Sequence, residues 1–108
     1  MLYDPSWKTH PALTEEQKIL LLAADLLEQR GHCKNALEDQ KGRLCVLGAL
    51  EMAFGHLLDW DTDRTGLSRA WGRLHRQIAD CPVAWNNMPK RTADEVISAL
   101  RNAALNEV

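Results

Sequence analysis

The stretch Gly31-His-Cys-Lys-Asn-Ala-Leu-Glu-Asp-Gln-Lys-Gly-Arg-Leu-Cys-Val-Leu-Gly-Ala-Leu50 decides the fold class, because a hairpin inside it would make an otherwise helix-patterned chain α+β. Asp39-Gln-Lys-Gly42 predicts a tight turn: aspartate can cap the turn's start, and glycine accepts positive φ at its end. Short strands near 33–38 and 43–46 would then pair as a β-hairpin, although their alternation of apolar and polar residues is poor. Val46, Leu47, Ala49, Leu50, Ala53 and Phe54 predict a helix that stops at or just after Gly55. Gly48 within it costs about 1 kcal/mol relative to alanine, which implies a close approach by another element.

Working outward, Thr14-Glu-Glu-Gln17 has the spacing of a capping box. Ile19, Leu22, Ala23, Leu26 and Leu27 repeat at three-and-four spacing, Leu20 and Leu21 widen the stripe, and Gly31 supplies the stop, so a helix is expected over 15–30. A third helix is expected at about 66–79, with Leu67, Trp71, Leu74 and Ile78 on one face and Arg69, Arg73 and Arg76 on the other. Cys81-Pro82 would end it, and Val83-Ala-Trp85 reads as a short strand before the turn-prone Asn86-Asn-Met-Pro89. Thr92-Ala-Asp-Glu95 is a second capping box, opening a last helix buried through Val96, Ile97, Leu100, Ala103 and Ala104. The expected fold is therefore α+β, mostly α: four helices around one core with a short β-hairpin near 33–46. Residues 1–13, with Pro5, Pro11 and no periodicity, would form an extended N-terminal arm on a single helix-rich domain spanning 14–108.

A length of 108 residues suits one compact domain, and 45% hydrophobic with 26% charged residues is a globular composition. The formal net charge of −2 gives no general attraction to nucleic acid, so such contact would need a local basic patch. Three cysteines, and a start without the basic and apolar regions of a secretory signal, suggest a reducing, cytoplasmic setting. The longest apolar run, Ile19 to Ala24, is far short of the roughly 20 residues that span a bilayer, so no membrane contact is expected. Small size and an exposed Trp60 would allow a homodimer.

Three chemistries compete for the special residues. Cys45, just before the second helix, lies where the positive helix end favours a thiolate, so a small cysteine-dependent enzyme using Cys45 or Cys33 is one reading. It would need His32, His56 or His75 as base and Asn86 to orient it; the bland reading is two packed, inert cysteines. Zinc could be held by Cys33 and Cys45 with His32, His56, His75 or Cys81, but no closely spaced ligand pair exists, and no metal or other cofactor is expected. The alternating carboxylates Asp59, Asp61 and Asp63 lack the glycine and glutamate of a calcium loop. The arginines of the third helix, with Arg64 nearby, match an acidic protein surface or phosphates; the bland reading is a solvated face. Trp85-Asn-Asn87 followed by Lys90-Arg-Thr92 pairs an aromatic and two amides with positive charge at a helix start, or simply fills core and caps loops.

Arg30-Gly-His-Cys33, Gly42-Arg-Leu-Cys-Val-Leu-Gly-Ala49, Val83-Ala-Trp-Asn86 and Arg91-Thr-Ala-Asp-Glu-Val96 together resemble a family of small bacterial and phage proteins whose domain has no assigned function. The likeness covers about residues 15–105. It implies that Cys33, Gly42, Arg43, Cys45, Gly48, Trp85, Asn86, Arg91 and Thr92 are positions of a shared pattern, and it brings no activity. Asn87 stands where that pattern often has aspartate, and His32 where an aromatic is common, which weighs against an acid–base aspartate there. The expected function is a small non-enzymatic binding protein acting on a macromolecular partner, most simply a protein, such as a phage or mobile-element accessory factor. Arg69, Arg73, Arg76, Arg43, Trp85, Asn86 and Arg91 are its candidate contact residues, and a zinc-stabilised module is the remaining alternative.

Overall fold

The computed structural model describes residues 13–58 and 63–106. Within them the chain forms five helices: α1 (Glu15–Arg30), α2 (Val46–Leu57), α3 (Thr65–Ile78), α4 (Pro82–Asn86) and α5 (Ala93–Leu105). The capping box at Thr14 starts α1, with the Gln17 N–H donating to the Thr14 hydroxyl at 3.3 Å and Gln17 Oε1 accepting the Thr14 N–H at 2.8 Å. Gly31, at φ +90°, ends it through a bond from its N–H to the Leu27 carbonyl. Every residue from Ile19 to Leu27 is buried, so α1 is enclosed all round rather than along one stripe. Helices α2, α3 and α5 pack against it.

Enclosure extends to the one acid on the middle of α1. Asp25 is buried and meets Arg101 of α5 at 3.3 Å, and the same guanidinium holds Glu28 at 2.8 Å. That hydrogen bond, opposed by desolvation, keeps the Glu28 carboxyl below its usual range. The far end of α5 is closed by side chains from other helices: Arg73 donates to the Ala103 carbonyl at 2.8 Å and to Asn106 at 2.8 Å, and Gln17 donates to Ala104 at 2.8 Å. These carbonyls have no partner within the helix, and the cation is well placed against its negative end.

Two expectations are corrected. No β-strand or sheet exists among the described residues, so the hairpin near 33–46 and the α+β class do not hold; the described structure is helical. Leu44 makes one isolated parallel bridge to His32 and one isolated antiparallel bridge to Glu38, and neither extends. A four-helix count fails as well, because Val83–Trp85 lies inside an additional short helix, α4, instead of a strand. Pro82 is its first residue, where a fixed φ and a missing N–H cost nothing. Helix α3 has already stopped at Ala79, a left-handed residue at φ +56°.

The expected arm, apart from Leu13, lies outside the described residues, as do Trp60 and most of the acidic loop. Asp63 is described: its carboxylate accepts the Thr65 N–H at 2.8 Å, starting α3. No described helix is long and apolar enough to cross a membrane.

Candidate functional site

Residues 31–45 fold as a loop in which Leu44 lies between two other legs of the same chain. On one side the Leu44 N–H donates to the Gly31 carbonyl at 3.0 Å, and the Cys33 N–H donates back to Leu44 at 2.9 Å. On the other, the Cys45 N–H donates to the Leu37 carbonyl at 3.1 Å and the Asp39 N–H to Arg43 at 2.9 Å. The expected turn closes the outer leg: Gly42 sits at φ +80° with its N–H on the Asp39 carbonyl, and Asp39 Oδ1 accepts from the Lys41 and Arg43 amides. Arg43 stays within this turn, bonded to Asp39 at 2.6 Å, while Arg30 ties it to α1 through the Gly42 carbonyl and Glu38.

The next rung of a parallel ladder would run from the Val46 N–H to the Cys33 carbonyl. Asn86 of α4 occupies that rung. Its Oδ1 accepts from Val46 at 3.0 Å, and its Nδ2 donates to Cys33 at 3.2 Å. Val46 offers only a donor and Cys33 only an acceptor, which fixes the orientation of the carboxamide. With Oδ1 an acceptor, the His32 Nε2 at 2.7 Å carries the proton between them. Asn86 is fully buried, and its carboxamide stands in for one peptide group of the parallel ladder, which stops at the single Leu44 bridge.

Asn87 and Lys34 finish the seam. Asn87 Oδ1 accepts from the Asn35 amide at 2.9 Å and from Asn86 Nδ2 at 3.1 Å, and Lys34 Nζ reaches the Pro89 carbonyl at 2.9 Å. Asn35 stands at φ +64°, a conformation asparagine tolerates better than most residues. On the other side of α4, the Arg91 guanidinium lies 4.0 Å above the Trp85 ring, donates to the Trp85 carbonyl at 3.1 Å and pairs with Glu95. Half-buried Trp85 packs on the core beneath it. Of the expected residues, Asn86 thus joins the loop to α4 through Cys33 and Val46, whereas Arg43 is held in the outer turn, Cys45 caps α2, and Arg91 engages Trp85 and Glu95.

The sulfurs are engaged by the fold as well. Cys33 Sγ donates to the Ala36 and Arg43 carbonyls at 3.4 and 3.3 Å, and Cys45 Sγ caps α2 by accepting the Gly48 N–H at 3.3 Å. Burial pushes the Cys33 thiol up, reinforced by Asp39 and Cys45 nearby. Among the described residues no histidine bonds either sulfur, and no three His, Cys, Asp or Glu side chains converge as metal ligands. Alkylation of the native chain at neutral pH is expected to modify exposed Cys81 and spare buried Cys33 and Cys45. Equally fast labelling of Cys45, read by peptide mass spectrometry, would restore the nucleophile reading.

The arginines of α3 lie elsewhere and differ from one another. Arg73 is engaged with the end of α5, and Arg64 is paired with Glu51 at 2.7 Å while stacking over Phe54. Arg69 and Arg76 are exposed and make no ion pair or hydrogen bond with a described residue. Together the four line a groove of about 550 Å³ that also includes Glu16 and Asp63.

Fold and seam define a small helical domain in which a cysteine loop is tied by one buried asparagine to a short helix. It belongs to a family of unknown function (DUF6197), whose model matches residues 11–106. No curated protein matches the chain, and no solved structure does.

Proposed function

We propose that this chain is a non-enzymatic binding protein whose α3 groove receives an acidic region of a protein partner. The observation that carries the reading is the contrast among its polar groups: those of the seam are consumed by the fold, while Arg69 and Arg76 are exposed and outside any ion pair or hydrogen bond with a described residue, Arg69 acting on Asp63 through its charge alone. They stand two helical turns apart, about 10 Å, on one face of α3. Guanidinium forks at that spacing suit separate carboxylates. Glu16 and Asp63 on the groove wall repel a continuous polyphosphate, which favours a protein over nucleic acid. The role of accessory factor of a phage or mobile element rests on the likeness to small bacterial and phage proteins, and a cytoplasmic setting on the three cysteines.

The test is affinity capture from the native cells with nuclease present, using the wild-type chain and an Arg69→Glu/Arg76→Glu variant. A partner that resists nuclease and binds the variant at least about tenfold more weakly, roughly 1.4 kcal/mol, is expected. The melting temperature should hardly change, since both positions are exposed. Equal recovery with the variant, or recovery that nuclease abolishes, would overturn the reading.

A further inference from the structure

The cationic groove has an apolar neighbour on the other flank of α3. Leu47 of α2, Leu67 and Trp71 of α3 and Val83 of α4 line a depression of about 400 Å³, with Glu51 and Arg64 also on its wall. Leu47, Trp71 and Val83 are each half-buried, so their remaining surface faces this depression. Arg64 and Ser68 line both grooves.

Helix geometry explains why the two are continuous. At about 100° per residue, Ser68 and Gly72 lie roughly 100° and 140° around α3 from Leu67, between the apolar side and the arginines. At its lowest point the ridge between the grooves is therefore the Ser68 hydroxymethyl group and Gly72, with Arg64 lining both grooves and the Arg76 Nη1 3.4 Å from the place a Cβ on Gly72 would take. A segment laid across α3 at Ser68 meets a hydroxymethyl group between the Arg64 and Arg76 guanidiniums and can reach both sides.

Resting on the binding function proposed above, we infer that the occupant is an amphipathic helix of the partner that is acidic along one edge. Its apolar side chains enter the Leu47–Trp71–Val83 depression, and its carboxylates meet Arg69 and Arg76. Charge complementarity selects this occupant: an apolar helix alone leaves both guanidiniums uncovered, and an acidic coil alone leaves the depression wet. Helix-in-groove docking supplies both kinds of contact from one element. Trp71 is the anchor, since half-exposed tryptophan in an apolar recess carries more binding energy than the contacts around it.

Selection of a displayed random-peptide library against the full chain tests this without knowledge of the partner. Enriched peptides should combine Asp or Glu with leucine or aromatic residues at helical spacing. Their affinity should fall at least about tenfold on Arg69→Glu/Arg76→Glu and again on Trp71→Ala. Because Trp71 also packs on the core, Ser68→Tyr serves as a second block; it fills the saddle from an exposed position and leaves the interior alone. Peptides sensitive to the arginine variant but indifferent to Trp71→Ala and Ser68→Tyr would overturn the amphipathic occupant and leave the proposed function standing. Peptides indifferent to all three variants, or a selection that enriches nothing, would overturn the inference. So would a concentration-dependent dimer in sedimentation that the arginine variant abolishes, which would make the occupant a second copy.

Discussion

Gly48→Ala is expected to destabilise the chain by about 3 kcal/mol, although alanine is the better helix former by about 1 kcal/mol. A Cβ at this position would lie 2.0 Å from the Leu37 carbonyl oxygen and 2.9 Å from its carbon. Both are backbone atoms and cannot turn aside like a side-chain tip. Moving them lengthens the bond from the Cys45 N–H and pulls on the leg that carries the Asp39–Gly42 turn. Steric strain of about 1–3 kcal/mol plus a lost buried hydrogen bond of similar size outweigh the propensity gain. For a chain of this size the melting temperature should fall by roughly 10–20 °C, with a matching drop in the urea midpoint. An unchanged or raised midpoint is what helix propensity alone predicts, and it would show that the Leu37 carbonyl does not rest on α2.

Asn86→Ala should be comparably damaging for a different reason. It leaves the Val46 N–H, the Cys33 carbonyl and the His32 ring N–H without the partner they share. A stranded buried polar group costs about 1–3 kcal/mol, so with partial relief by water the loss should be roughly 3 kcal/mol. Asn86→Asp separates the two halves of the effect. A carboxylate can still accept from Val46 at the positive end of α2, but it cannot donate to Cys33. Its urea midpoint should therefore fall between those of wild type and Asn86→Ala. An alanine variant with the wild-type midpoint would mean that the carboxamide carries no part of the seam.

Which parts of this were legible depended on how far apart the cause and its effect lie in the chain. The bounds of α1 follow from Thr14, Gln17 and Gly31, all local, and the turn at Asp39–Gly42 from residues within it. Gly48 announced a close neighbour but not its identity. The hairpin fails within 33–46 because its antiparallel pairing stops after one bridge, the next acceptor, the Cys45 carbonyl, being taken by the Ala49 N–H as α2 begins, while the parallel ladder on the other side is interrupted by Asn86, forty positions beyond Val46. Helix α4 is too short for any periodicity, and Pro82 is as suited to opening a helix as to ending the previous one. The arginine stripe shows the limit of a helical projection: it placed Arg73 with Arg69 and Arg76, yet only packing shows that the end of α5 lies within reach of Arg73. Lys34 and Asn35 carry no motif, asparagine's tolerance of positive φ being the available signal; Asn87 stands out beside Trp85 and Asn86, but nothing local ties it to the Asn35 amide.

The junction of the loop, α2 and α4 depends most on the rung that Asn86 supplies at the start of α2. Amide hydrogen exchange of the full chain, followed residue by residue by NMR, tests it directly. The Val46 N–H is a first-turn amide that no helical carbonyl satisfies, so it exchanges readily when only water covers it. Bonded to buried Asn86, it should exchange as slowly as the interior amides of α2 at Leu50 and Ala53. Rapid exchange at Val46 beside a protected α2 interior would contradict the account.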